Sequence, residues 1–165
     1  MTGMPPHVIR LRGPWQYVPM ARTVLRPDGS TREVDGLLPP PGRCTVPSDW
    51  ADALGPDFRG RVRYQRSFGC PTGLVPGDRV ELVIGQVDAW GSATLNQHLL
   101  GQIDAGNSGA RFDVTSRLAA RNDLCVEVEL PRSADNAPLL HRPGRENQSG
   151  GLLGEVRLEI WQVRR

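Results

Sequence analysis

Two acidic residues, Asp88 and Asp104, are spaced so that they could form a catalytic pair. They enclose the segment "AWGSATLNQHLLGQI", in which a polar turn at Asn96 separates two partly apolar runs. Cleavage of a glycosidic bond uses two carboxyl groups about 5–10 Å apart, and this pair could meet that separation. Many acid pairs in a β-rich chain would meet it equally well, so a hydrolase built on this pair is the least favoured of three hypotheses.

Other catalytic and metal-binding patterns are missing from the sequence. The histidines lie in different segments, no two cysteines form a C-x-x-C pair, and no phosphate-binding glycine pattern or nucleophile elbow occurs. We therefore expect no catalytic nucleophile and no metal held by these residues, and we expect the cysteines to be reduced and half-buried. The residues concerned are His7, His98, His141, Cys44, Cys70 and Cys125.

The charges are nearly balanced. All 20 basic residues are arginines, set against 18 acidic residues, and the net charge is +2. Such a balance creates no field that would attract nucleic acid or an anionic membrane, and neither is expected as a partner. Arg59, Arg61 and Arg63 would share one face of a strand, which we interpret as a solvated face paired with Glu127 or Glu129 on a neighbouring strand.

Short segments of alternating polarity dominate the chain. The clearest are residues 61–68, 79–85, 124–130 and 155–163, where apolar residues alternate with polar ones over most of the segment, as in a strand with one buried face. With 19 glycines and 15 prolines spread between them, long helices are disfavoured. Further strands are predicted at 8–12, 16–20, 43–46, 92–96, 99–103 and 110–114. This pattern predicts an all-β antiparallel sandwich or jelly roll.

Helix is confined to one or two short turns in this prediction. Residues 48–55 begin with Ser48 as a candidate N-cap and end at Gly55, and residues 115–120 form a second candidate. The long loops at 26–42 and 132–151 are expected to be mobile or functional. No signal peptide or membrane-spanning run is evident, so a complete chain would be cytoplasmic.

Five motifs in order resemble the N-terminal sugar-binding domain of family 2 glycoside hydrolases, which includes β-galactosidases and β-glucuronidases. They are "VPSDW" (46–50), "RYQRSF" (63–68), "GQVDAWGSATLNQHLLGQ" (85–102), "FDVTSRLAARNDLCVEV" (112–128) and "GEVRLEI" (154–160). The resemblance implies a galactose-binding-like jelly roll spanning residues 1–165 as one domain. Residues 1–42 would supply N-terminal strands and a long loop, and residues 43–163 the core of the resemblance.

Some positions depart from the family pattern. Gln97 stands where the family usually has glycine in its hairpin turn, and the segment before the last strand lacks the family's tryptophan. The sequence ends at Arg165, whereas the catalytic carboxylates of the full enzymes lie on a later barrel. The resemblance therefore implies no catalytic residues, and we expect the protein not to be an enzyme.

The resemblance also points to a set of sugar-binding residues: Asp88, Trp90, Asn96, Asp104 and Asn107. Carboxylates and amides can bridge neighbouring hydroxyls, and an aromatic face can cover the apolar side of a sugar. These residues also have structural alternatives. Asp88 could cap a turn, Trp90 could belong to the core, and Asn96 could serve the backbone geometry of the hairpin turn. Asp104 and Asn107 could instead lie in a solvated loop or ligate calcium, although no cofactor is expected.

Two hypotheses for function follow from these features. The preferred one is a non-catalytic carbohydrate-binding module. The alternative is an interaction or scaffold protein that forms homo-oligomers or binds a protein partner, such as a separate enzyme, since much of the matched pattern is core and turn. A polar cluster in the second long loop could meet a partner; its members are His141, Arg142, Arg145, Glu146 and Asn147.

Overall fold

A computed structural model describes residues 3–104, 109–133 and 148–164. The described residues form β1 (His7–Arg10), β2 (Trp15–Leu25), β3 (Thr31–Val34), β4 (Gly42–Cys44), β5 (Ser48–Asp49), β6 (Gly60–Gly69), β7 (Arg79–Ile84), β8 (Val87–Asp88), β9 (Trp90–Leu95), β10 (His98–Ile103), β11 (Ala110–Asp113), β12 (Arg121–Leu130), β13 (Arg132–Ser133), β14 (Gly151–Leu152) and β15 (Val156–Trp161). Helix is limited there to α1 (Ala51–Leu54) and a 3-10 turn at Thr115–Arg117.

The strands form two main sheets that enclose the core. A four-stranded sheet has the order β1-β15-β7-β11, and a larger curled sheet has the order β10-β9-β12-β6-β2-β13, with β3 and β4 also paired to β2. The described pairings are antiparallel except that of β13 with β2. The predicted all-β sandwich with one or two short helical turns is therefore confirmed.

The core follows directly from the alternation in the sequence. In β12 the inward residues are Leu124, Val126, Val128 and Leu130, each at most 1% exposed, and the residues between them are half-buried or exposed. Strand β6 alternates in the same way, and β15 does so except that Glu159, on its outer face, is also buried. Burial of this apolar surface from both sheets is the main term that stabilises the sandwich.

A third, small sheet ties the loops together at one end of the sandwich. Its order is β5-β14-β8, with Gly151 opposite both Asp49 and Asp88. A Cβ atom at Gly150 would lie 2.6 Å from the Asp88 carbonyl oxygen and from the Trp50 ring, so glycine is required for this close approach. The small sheet fixes the position of β8, and thereby of β9, which follows it.

Two local predictions need correction. Ser48 is not the N-cap of α1, since it lies in β5 and the N-cap is Trp50; Asp49 instead accepts a hydrogen bond from the Ala51 amide at 2.9 Å. The segment 26–42 is not a single long loop, because Thr31–Val34 pairs with β2 as β3. Most of the second long loop lies outside the described residues.

The cysteine prediction is confirmed. Cys44, Cys70 and Cys125 are free and half-buried. No helix in the part of the chain that the structure describes is long and apolar enough to cross a membrane.

Candidate functional site

Strand β9 places Trp90 on the outer face of the larger sheet. Gly91, Ala93 and Leu95 are buried against the core, so the alternate residues, beginning with Trp90, face the other way. Trp90 is half-buried there and packs along the edge of the core cluster. Trp90 therefore contacts the core, as its structural alternative required, and also lies in part at the surface.

Trp90 lines a shallow pocket of about 210 Å³ on this outer face. Residue pairing across the sheet explains its walls: Trp90 on β9 lies opposite Glu129 on β12, which lies opposite Arg61 on β6. One step along the strands, Ser92 on β9 lies beside Gln102 on β10. The complete lining consists of Arg61, Trp90, Gly91, Ser92, Gln102, Glu127, Val128 and Glu129.

Arginines on β6 compensate the acidic residues of the pocket. Arg63 donates to Glu127 Oε1 from both Nε and Nη2, at 3.1 and 3.0 Å. Arg61 Nη2 lies 3.0 Å from Glu33 Oε1, and Arg61 Nε lies 4.0 Å from Glu129 Oε1. The predicted cross-strand glutamate partners are confirmed for Arg61 and Arg63, whereas Arg59 precedes β6 and donates to the carbonyl oxygens of Pro56 and Phe58.

Glu129 accepts fewer hydrogen bonds than Glu127. Its Oε2 atom is buried and accepts no hydrogen bond from any described residue. A buried carboxylate oxygen without a donor costs free energy, because folding removes its bound water without replacement. This oxygen is buried, so it is not itself a contact point for a ligand; the pocket presents only the exposed part of the Glu129 side chain, 13% of its surface.

Of the predicted binding residues, Asp104 lies near Trp90. Ile103, at the end of β10, pairs with Gly91, so Asp104 follows at the end of the sheet where Trp90 begins β9. Its side chain is exposed. Asn107 lies outside the described residues, and its role stays a prediction.

Asp88 lies in a buried strand and not in an exposed loop that could bind a ligand. It belongs to β8, pairs with Gly151 and is 0% exposed. The next residue anchors the chain beside the pocket, because the Ala89 amide donates to the Glu129 carbonyl oxygen at 3.0 Å. Asp88 therefore supports the strand that carries Trp90, and it does not present a carboxylate to the surface together with Asp104.

Asn96 is committed to the fold, at the far end of β9 from Trp90. Its Nδ2 donates to the Arg117 carbonyl oxygen at 3.1 Å and to Asn122 Oδ1 at 3.0 Å. Its Oδ1 accepts a hydrogen bond from the Asp123 amide at 2.8 Å. These bonds match the structural alternative, a residue that sets turn geometry.

No metal centre is formed by the described residues. None of their His, Cys, Asp and Glu side chains come together in a group of three or more that could hold a metal ion. His7 and His98 are exposed and lie on different sheets. His141 and the rest of its predicted polar cluster, Arg142, Arg145, Glu146 and Asn147, lie outside the described residues, as does Asn107 of the calcium alternative.

Sequence alternation alone could have placed Glu127, Glu129 and Gln102 on an outer face. What it could not supply was the register between strands, which brings them beside Trp90. The predicted strand began at residue 92, two residues later than the observed start of β9 at Trp90. Because of this difference, the predicted strand did not include Trp90 and could not show that Trp90 and Ser92 lie on the same face of β9.

Comparisons with known proteins connect the fold to β-glucuronidases. Neither protein-family models nor curated proteins give a match to this sequence. Among solved structures, the Bifidobacterium dentium β-glucuronidase complexed with coumarin-3-O-glucuronide is 27% identical with a TM-score of 0.69, and the match covers 98% of this chain and 31% of that one. The Faecalibacterium prausnitzii enzyme is 22% identical with a TM-score of 0.70, covering 98% and 32%.

A third similar structure is also a β-glucuronidase. The Dictyoglomus thermophilum β-glucuronidase is 17% identical with a TM-score of 0.68, and the match covers 98% of this chain and 29% of that one. The chain thus spans about a third of the length of each of these enzymes. The resemblance to family 2 glycosidases that the motifs indicated is confirmed at the level of the fold.

Proposed function

We propose that this protein, which has the β-sandwich fold found in family 2 β-glucuronidases, is a non-catalytic carbohydrate-binding module. The observation that carries the proposal is the position of Trp90. A half-buried tryptophan on the outer face of a sheet, in a pocket lined by carboxylates and an amide, has the chemistry that sugar recognition needs. The protein also shares its fold with enzymes that act on sugars. A fold by itself does not define a ligand.

In this proposal the apolar face of a sugar ring packs on the exposed part of the Trp90 ring. Hydroxyl groups at the edge of the sugar donate to the carboxylate of Glu127, whose side chain is 33% exposed and lines the pocket. The Gln102 amide and the Ser92 hydroxyl complete the polar contacts. Each part of the sugar then meets a surface of matching polarity.

The proposed role includes no catalysis. Of the two acids considered as a catalytic pair, Asp88 is fully buried, so the described residues do not offer two accessible carboxylates at these positions. The matched region is also only 31% of the B. dentium enzyme. Sugar turnover by the present chain is not part of the proposal.

Isothermal titration calorimetry with simple sugars tests the proposal. The probes are methyl β-D-glucuronide, chosen because a similar structure holds a glucuronide, together with glucose, galactose and mannose. We expect millimolar binding of at least one sugar and a loss of tenfold or more in affinity for Trp90→Ala. Trp161→Ala is the matched control, since Trp161 is also half-buried on an outer face but belongs to the other sheet.

Several results would contradict this function. One is no heat from any sugar at millimolar concentration; another is an equal loss of affinity in both tryptophan variants. Because Trp90 packs against the core, Trp90→Phe is included as a variant that keeps an aromatic face. Failure with every sugar would favour the alternative of a protein-interaction domain, for which Leu37, 92% exposed, is a candidate contact.

A further inference from the structure

A second and larger hollow lies on the same outer face of the larger sheet. Its volume is about 640 Å³, and its floor is formed by one row of residues that runs across five strands. Arg43 on β4, Gln16 on β2, Gln65 on β6, Cys125 on β12 and Thr94 on β9 are successive neighbours in the register. All five residues line the hollow.

The two hollows follow one another along the same strands. On β6 the order is Gln65, Arg63 and Arg61, and β12 carries the matching order Cys125, Glu127 and Glu129. The first position of each lies in the larger hollow, and the last lies in the Trp90 pocket. On these strands Arg63 lies between the two hollows, since its partner Glu127 already lines the Trp90 pocket. The two hollows therefore adjoin on the sheet, and we call them together the groove.

The groove is longer than a single sugar. From Glu129 in the Trp90 pocket to Asp123 at the far side of the larger hollow is six residues along β12. At about 3.3 Å per residue this corresponds to roughly 20 Å. A monosaccharide stacked on Trp90 would leave most of that length empty.

Polar groups in the larger hollow are available to a ligand. Within the described residues, the side chains of Gln16, Arg43 and Gln65 make no hydrogen bond or ion pair, whereas Ser67 Oγ donates to Asp123 Oδ1 at 2.7 Å. Amides can both donate to and accept from neighbouring hydroxyl groups, and the Arg43 guanidinium offers several donors. The hollow thus resembles the Trp90 pocket in its polar chemistry but has no aromatic ring.

The distribution of charge favours a neutral polymer of hydroxylated units over a nucleic acid. Along the groove, Arg63 is paired with Glu127 at 3.0 Å, and the lining of the larger hollow contains two arginines, Arg43 and Arg66, and one aspartate, Asp123. A nucleic-acid site would present a continuous excess of positive charge to the phosphates. Here arginines and glutamates face each other across β6 and β12, with Arg63 opposite Glu127 and Arg61 opposite Glu129.

We propose that the groove binds a linear oligosaccharide along the strands of the larger sheet, with one unit on Trp90 and the following units over the Arg63–Glu127 pair and the larger hollow. This inference rests on the proposed function and deepens it, because it names a chain of sugars as the ligand class. Trp90 supplies the anchoring contact in this arrangement. Gln16, Gln65 and Arg43 add contacts that only a longer ligand can reach.

A chain-length series tests the arrangement. Calorimetric titrations use the monosaccharide that binds best and its linear β-linked oligomers of two to five units. For the wild type we expect affinity to rise by tenfold or more from one unit to four. The double variant Gln65→Ala/Arg43→Ala should abolish this rise and leave the affinity for the monosaccharide within twofold, whereas Trp90→Ala should weaken binding at every length.

The matched control for the double variant is Arg32→Ala, an exposed arginine on β3 that lines neither hollow. Since Gln65 is exposed and Arg43 lies at the surface of β4, circular dichroism should show both variants folded. An affinity that is constant from one unit to five would overturn the groove and leave the monosaccharide site intact. Absence of binding by every sugar would overturn both proposals, and an unchanged rise in the double variant would overturn the placement.

Discussion

At the scale of single residues, the hairpin between β9 and β10 combines one well-suited residue with one poorly suited residue. Asn96 and Gln97 have φ angles of 50° and 69°, which is the left-handed geometry of a type I′ turn. Asparagine tolerates this geometry, and here it also forms three hydrogen bonds to the neighbouring segments. Glutamine gains no comparable contact, and a residue with a Cβ pays roughly 1–2 kcal/mol to adopt this conformation.

Replacement of Gln97 by glycine should therefore stabilise the protein. We expect Gln97→Gly to raise the free energy of unfolding by about 0.5–1 kcal/mol, which is the relieved strain less the extra entropy of glycine in the unfolded chain. Chemical denaturation monitored by fluorescence measures the change. Asn96→Gly is the matched variant: its backbone geometry is equally permitted, but the lost hydrogen bonds should destabilise by about 1–3 kcal/mol. Equal effects of the two variants would refute this explanation.

The turn at Asn96 and its left-handed residue could be predicted from the sequence, because the chain reverses there between two strands. The contacts of Asn96 with Arg117, Asn122 and Asp123 could not, since those residues are more than 20 positions away along the chain. The same limit applies to Trp90. Trp90 faces outward because β9 begins at this residue and its alternate residues share that face. Amino-acid composition does not specify where a strand begins.

At the scale of elements, the outer face of the four-stranded sheet is held by a chain of ion pairs. Glu159 on β15 accepts hydrogen bonds from Arg111 on β11 at 2.6 Å and from Arg157 at 2.8 Å. Arg111 also bonds to Glu81 on β7, at 3.1 Å. The three strands are thus connected through side chains as well as through backbone hydrogen bonds.

The pKa of Glu159 reflects this network. Burial alone would raise the pKa, but the hydrogen bonds and charges of Arg111 and Arg157 outweigh burial and lower it from the ordinary value of 4.5. A lowered native pKa means that the carboxylate stabilises the fold at pH values above 4.5. This contribution is then lost as the pH falls through the native pKa.

We expect Glu159→Gln to reduce the free energy of unfolding at pH 7 by about 1–2 kcal/mol, allowing for the solvent exposure of Arg111. The difference from the wild type should shrink as the pH falls below 4.5 and disappear once Glu159 is protonated. Denaturant titrations at several pH values measure it. Glu33→Gln, whose side chain is 67% exposed and pairs with Arg61 on the other sheet, should change stability by less than about 0.5 kcal/mol. A difference that persists unchanged at pH 3 would contradict the argument.

The predicted strands agree with the observed ones where one face is buried throughout, as in β6, β7, β12 and β15. Some short strands were missed, among them β3, β5 and β8. In β3 no residue is buried, so its sequence carries no apolar alternation, and only its pairing with β2 defines it. Strands of two residues, such as β5 and β8, are likewise defined by their partners.

At the scale of the whole molecule, both sheets contribute to one continuous core. Leu158 of the four-stranded sheet and Val126 of the larger sheet belong to the same buried cluster. We therefore expect the two sheets to unfold cooperatively. A cavity made in one sheet should then lower the free energy of unfolding of both sheets equally.

Leu158→Ala tests this cooperativity. Leu158 is 1% exposed, and its truncation should cost about 2–5 kcal/mol. Hydrogen exchange should show the same loss of protection in β12 as in β15, although the substitution lies in β15 alone. Leu99→Ala, at a residue that is 61% exposed, is the control and should change neither strand. Loss of protection confined to the four-stranded sheet would show that the two layers unfold separately.

The pairing of the first strand with the last has a practical consequence for handling the protein. His7 on β1 lies opposite Ile160 on β15, so the two strands nearest the ends of the sequence leave the sandwich side by side. Both belong to the four-stranded layer, whereas Trp90 and Gln65 line the outer face of the opposite layer. A tag, a dye or a sensor chip can therefore be attached near either of these strands while the Trp90 pocket faces away from the support.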